Sequence, residues 1–332
     1  MKKLLLNRID RTTPDIGMVH YVVDHDYRTD VQGWSRSDGT GPLNLYDQRN
    51  PGYVYRSGDA ANVTDRATIQ AAIDAAIDFR GDTVFLTPGS YSIATTALAL
   101  NCPDLRIMGP AVSTPNRARV TVTDAIGTNA ISVDRVEVAN IRFIPLTATS
   151  LWSLSAGADF IHFHDYTYQT EDITGSTSTI FCTFAGNTND FCVFERFHQY
   201  TDAAQGPHLS IGATVRDLLV QDFVLSHGGG TTLAIALADI TGASANAGFV
   251  FRRGKGYTRG AASTAVTNLL KLTDSGADVM TFSVEDFTAS VGFCASTALV
   301  SLNAAETAEV GLYRNFLMTI SGGSGNGTVF TA

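Results

Sequence analysis

One short pattern recurs between Val136 and Met318 and limits what this chain can fold into more than any other feature. Its copies are Val138-Ala-Asn-Ile141, Phe163-His-Asp-Tyr166, Phe194-Glu-Arg-Phe197, Val220-Gln-Asp-Phe223, Phe251-Arg-Arg-Gly254, Val284-Glu-Asp-Phe287 and Tyr313-Arg-Asn-Phe316, starting 25, 31, 26, 31, 33 and 29 residues apart. Each has an apolar residue two places before it and usually another two places after. The pattern is therefore two short strands of period two joined by a two-residue bend. A unit of this length, repeated without intervening helices, predicts a parallel β-solenoid in which each copy is one rung and equivalent residues stack about 4.8 Å apart. A β-sandwich of similarly short strands is the competing fold.

Composition agrees with many short strands and tight turns: 44% of the 332 residues are hydrophobic, only 17% are charged, and 30 are glycine. A formal net charge of -9 without a basic stripe disfavours nucleic acid as a partner. Cys102, Cys182, Cys192 and Cys294 sit in apolar runs without CxxC spacing and read as core thiols. The apolar run after Lys2 and Lys3 is three residues long, too short for a secretory signal, and no segment is long enough to span a bilayer.

Residues 1–60 lack the repeat but are rich in aromatic anchors, Tyr21, Tyr27, Trp34, Tyr46, Tyr53 and Tyr55. Such a segment should order by lying on another surface, either its own solenoid or a partner, so it is expected to be an extended N-terminal attachment arm. Residues 61–332 are expected to be the solenoid. It opens with an amphipathic helix over about 65–80, where Ile69, Ile73 and Ile77 form one stripe, Thr64 or Asp65 caps the start and Gly81 takes the C′ position. That helix would cover the open end of the first rung.

The helix Ile-Gln-Ala-Ala-Ile-Asp-Ala-Ala, followed by Gly-Asp-Thr-Val-Phe-Leu-Thr-Pro-Gly-Ser-Tyr-Ser-Ile, resembles the opening segment of the pectate-lyase-like right-handed β-helix superfamily, especially its tailed-phage members. The specific match covers residues 64–110. It implies a single-stranded right-handed parallel β-helix, all-β; the rung pattern extends it to about eight rungs over 83–320, and the residues after the Gly-rich run read as a last short strand at 328–330. It also implies trimerisation, and it is compatible with enzymes and inert scaffolds alike.

Stacking the copies gives two columns of bend residues. The first reads Ala139, His164, Glu195, Gln221, Arg252, Glu285, Arg314, and the second Asn140, Asp165, Arg196, Asp222, Arg253, Asp286, Asn315. Charges largely alternate, so the acids are expected to form ion-pair ladders on the outer surface, with lowered pKa values ill suited to a general acid. Were the chain an enzyme, Asp165, Glu195, His164 and His198 would be its catalytic candidates. No cofactor or metal is expected. A third, outward column reads Glu137, His162, Val193, Leu219, Val250, Ser283, Leu312, and its apolar run Val193, Leu219, Val250 suggests a subunit interface.

The leading expectation is a non-catalytic phage virion surface protein, a capsid decoration or cement protein. It would be a homotrimer, bound to the major capsid protein or another virion protein through the arm. A tailspike-type glycan depolymerase is the alternative. No membrane or nucleic-acid partner is expected.

Overall fold

A computed structural model describes the protein over most of residues 68–228, over 235–241, 248–258, 268–272, 282–289 and 300–302, and along the strands Val19–Val22, Gly33–Arg36, Pro42–Asn44 and Val54–Ser57. The repeat forms a parallel β-solenoid with three walls. The first wall runs from Val54–Ser57 through Thr83–Leu86, Arg106–Met108, Glu137–Ala139 and His162–His164 into the opening halves of Val193–Thr201, Leu219–His227 and Phe249–Thr258, ending at Phe282–Glu285. The second runs from Gly89–Ile93 through Val120–Asp124, Ile141–Pro145 and Thr167–Gln169 into the closing halves of the same three long strands. The third is an eight-stranded sheet from Ala99–Leu100 to Val300–Leu302.

The apolar alternation dictates this arrangement, because residues two apart point to the same side of a strand. Phe163, Phe194, Val220 and Phe251 form one inward column of the first wall, all essentially without solvent exposure. Tyr166, Phe197 and Phe223 form an inward column of the second wall, with centroids 5.1 and 5.6 Å apart down the stack. Each such ring contributes about 1.5–3 kcal/mol by burial.

Gly254 interrupts this second column where the repeat asks for an apolar side chain. The rings of Phe223 and Phe287 close over it, 6.1 Å apart, and a Cβ there would lie 2.3 Å from Phe223 Cζ. Space taken by two larger neighbours explains the glycine.

His208 enters the same interior from the third wall. Its ring lies flat between Phe181 at 4.6 Å and Phe197 at 4.3 Å, and Nε2 is 2.7 Å from the Tyr166 hydroxyl. Complete burial holds its pKa well below the ordinary imidazole value, so it serves as a neutral flat ring.

The bend between the first two walls is narrower than the expected two residues. Only its second residue leaves extended geometry: Asn140, Asp165, Arg196, Asp222, Arg253 and Asp286 have φ of 59, 54, 49, 54, 54 and 50°. Asn and Asp tolerate this left-handed region, whereas an arginine is held there at a cost of about 1–2 kcal/mol. The first bend residue stays in the ladder, as the pairs Ala139↔His164, His164↔Glu195, Glu195↔Gln221 and Gln221↔Arg252 show.

The opening helix is shorter than its stripe suggests, Ile69–Asp74, with Ile69, Ala72 and Ile73 buried. Thr68, rather than Thr64 or Asp65, is the cap: its Oγ1 accepts the Ala71 N–H at 3.0 Å. The chain must turn back into Thr83–Leu86, and it does so through left-handed Phe79 and Gly81, so Gly81 belongs to that return and not to the helix end. Ile77 lies outside the described residues. The helix packs on the first strands of two walls, as expected of a cap.

Within 1–60, Val19–Val22, Gly33–Arg36 and Pro42–Asn44 form an antiparallel sheet that sets Tyr21 opposite Trp34. Val54–Ser57 joins the first wall with Tyr55 opposite Val84. Tyr27, Tyr46, Tyr53, Cys294, the seventh repeat copy and 328–330 lie outside the described residues. No helix among the described residues is long and apolar enough to cross a membrane.

Candidate functional site

The polar outer face of the first wall, beside the bend, carries a connected cluster of ionisable groups. Phe163 points inward with no exposure, so His162 and His164 point out on either side of it, their rings 4.4 Å apart. Register then sets Glu137 beside His162 in one direction and Val193 in the other, and places His164 beside Glu195.

The side chains close into a network. His164 Nε2 is 2.9 Å from Glu137 and its Nδ1 is 2.6 Å from Asp165. Arg196 donates two parallel hydrogen bonds to Asp165, each 2.9 Å, and a third to Glu195. Glu195 also faces His162 Nε2 at 3.1 Å and accepts from Gln221 Nε2. Arg106 approaches Glu137 at 3.3 Å. Two rungs on, Arg253 makes the same fork to Asp222 at 2.6 and 2.7 Å and also donates to Gln221 at 2.7 Å.

The ladder is therefore segmented. Asp165 is forked to Arg196 and Asp222 to Arg253, while Arg196 and Asp222 act on each other only through their charges. Such bidentate contacts are the strong form of the pair and fix register as well as charge.

These contacts hold the carboxylates ionised. The hydrogen bond from His164 keeps Glu137 below the ordinary carboxylate range against the effect of burial. Burial alone would raise Asp165 and Glu195, but Arg196 and His164 outweigh it at the first, and Gln221 and Arg196 at the second. At Asp222 the Arg253 fork lowers the pKa. The two histidines diverge: burial and the neighbouring His164 lower His162, whereas at His164 the bonds to Glu137 and Asp165 overcome burial and raise it. Of the two histidines, His164 is the one whose charged form these surroundings favour.

Asp165, Glu195 and His164 thus come together, as the repeat placed them. His198 does not join them. It sits on the second wall, 7% exposed, stacked 3.9 Å from Tyr200 with Nε2 3.2 Å from the Tyr257 hydroxyl. Glu137, His162 and Arg196 complete the cluster. The first two were visible in the sequence only as members of the outward column, and the third as a ladder residue.

That outward column continues as Val193, Leu219 and Val250, register partners that are each half-buried. The thiols play no part. Cys102, Cys182 and Cys192 are buried, and burial pushes Cys192 up to about 12. Among the described residues no group of three or more His, Cys, Asp or Glu side chains is arranged to hold a metal.

No family model and no curated protein matches the sequence. Among solved structures the chain is similar to a pectin methylesterase determined in complex with a hexasaccharide, at 10% identity and a TM-score of 0.40, over 84% of this chain and 85% of that one.

Proposed function

We propose that the chain is a structural, non-catalytic protein of a phage virion surface: a capsid decoration or cement protein that assembles as a homotrimer and attaches through residues 1–60. The observation that carries the non-catalytic part is the commitment of the outer-face acids. Asp165 and Asp222 are each forked by an arginine, Glu195 is hydrogen-bonded from three sides, and Glu137 is held by a hydrogen bond from His164 and an ion pair with Arg106. Carboxylates held ionised in this way stiffen a surface and are poor proton donors. The half-buried run Val193, Leu219, Val250 supports a subunit contact, and the resemblance of residues 64–110 to phage β-helices supports the virion setting. Light scattering at micromolar concentration should give a trimer, and deleting residues 1–60 should abolish binding to host-free capsids. A monomer, or undiminished capsid binding after the deletion, would overturn the corresponding part.

A second reading, a tailspike-type glycan depolymerase, is favoured by one arrangement. His162 and His164 are adjacent, their pKa values are displaced in opposite directions, and carboxylates flank both, as acid and base partners require. Release of reducing ends or unsaturated sugars from capsular glycans, lost in His164→Gln, would establish this reading over the first.

A further inference from the structure

A second left-handed column runs along the corner that leads into the first wall, three residues ahead of each repeat copy. It comprises Asp104, Arg135, Phe160, Phe191, Asp217 and Gly248, with φ of 62, 58, 56, 56, 54 and 72°, and Phe79 (59°) stands at its start. Asp and Gly suit this backbone; phenylalanine does not. Phe160 and Phe191 are nevertheless 51% and 47% exposed, stacked on each other at 4.9 Å and 11°. Two adjacent rungs thus place a bulky apolar residue where local geometry opposes it and where solvent surrounds it. Departures of this kind collect at functional surfaces.

We propose that this ridge docks an arginine-bearing protein segment, with a guanidinium seated on the Phe160–Phe191 stack and held by the neighbouring aspartates. The same ridge already contains such an arrangement internally. Arg135 lies 5.7 Å over the Phe79 ring while its nitrogens bind Asp104 and, at 2.8 Å, Asp134. At the other end the phenyl rings and the acids recur with no cation over either ring among the described residues. Asp159 and Asp190 directly precede the two phenylalanines, and Asp217 follows in the column. Arg216 pairs with Asp190 Oδ2 at 3.9 Å. Among the described residues Arg135 on Phe79 is the cation seated on a ring of this ridge.

The test uses the full chain and three probes in saturation-transfer NMR: the peptide acetyl-Gly-Arg-Gly-Arg-Gly-amide, its citrulline counterpart and maltohexaose. The arginine peptide should bind, more weakly as salt is raised, and should lose about three- to tenfold in affinity in Phe191→Asn and in Asp190→Asn. Citrulline, equal in shape but uncharged, should bind weakly or not at all. Because asparagine suits the left-handed corner, Phe191→Asn should keep the wild-type melting midpoint. Equal binding of the citrulline peptide, preference for maltohexaose, no binding of the arginine peptide, or a marked fall in the melting midpoint of Phe191→Asn would each overturn the proposal. The last result would make the rings structural.

Discussion

Replacing Gly254 by alanine tests the packing logic of the interior at one atom. The added Cβ would lie 2.3 Å from Phe223 Cζ, 2.5 Å from Phe223 Cε2 and 2.7 Å from Phe287 Cδ2. Neither ring retreats easily. Phe223 is backed by Phe197 at 5.6 Å, and the 6.1 Å spacing between Phe223 and Phe287 exists only because nothing projects between them. Overpacking of this kind costs about 1–3 kcal/mol, and the smaller entropy of the unfolded alanine chain offsets about 0.4–1 kcal/mol of it. A net loss of about 1–2 kcal/mol follows from these two terms, read as a lower urea midpoint at unchanged slope. Adding Phe223→Leu should return part of the loss, so the pair is expected to be non-additive by about 0.5 kcal/mol or more. An unchanged or raised midpoint for Gly254→Ala, or strict additivity in the double variant, would refute the account of this glycine as a space required by its neighbours.

The remaining predictions concern charge, proton and thiol. Asp165→Asn removes the fork on Arg196 and should lower stability by about 0.5–1 kcal/mol in low salt, a difference that shrinks as salt is raised; urea titrations at two ionic strengths check this. The raised pKa of His164 means that the folded state binds its proton more tightly than the unfolded state does. Its stabilisation is full below the unfolded value and is lost as pH rises through the folded one, so the stability gap between wild type and His164→Gln should narrow from mildly acidic to alkaline pH. His208→Phe and Tyr166→Phe each strand one partner of a buried hydrogen bond and should cost about 1–3 kcal/mol, whereas the double variant should be about as stable as wild type; a double variant as weak as the summed singles would contradict this. Cys192, with its thiol at about 12 and buried, should resist iodoacetamide in the native protein and react in urea.

The walls were legible because inward positions repeat as apolar residues at fixed spacing, as in the buried column Phe163, Phe194, Val220 and Phe251. The helix was overextended because Ile69, Ile73 and Ile77 satisfy a helical stripe, while the sequence hides how soon the chain must return to Thr83. Gly254 was unreadable as a packing residue because the rings that exclude a side chain come from Phe223 and Phe287 in the neighbouring rungs. The acidic and histidine cluster was half visible: Asp165, Glu195 and His164 share the repeat, but Glu137 and His162 reach them only through register. His198 was misplaced for a related reason, since one residue beyond the bend moves a side chain to another wall. The corner ridge left only a faint trace, in Asp104, Asp217 and Gly248, because hydrophobicity carries no record of a left-handed φ.

The segmented ladder also bears on how such a chain can change length. Asp165, Arg196, Asp222, Arg253 and Asp286 alternate strictly from rung to rung, and the forks join them two by two. Excising the rung of Arg196 alone would seat Asp165 directly against Asp222, like charges at strand spacing on a left-handed bend. Excising the rungs of Arg196 and Asp222 together would seat Asp165 against Arg253 and restore the fork. Loss of a single rung here should therefore cost stability that loss of two would not.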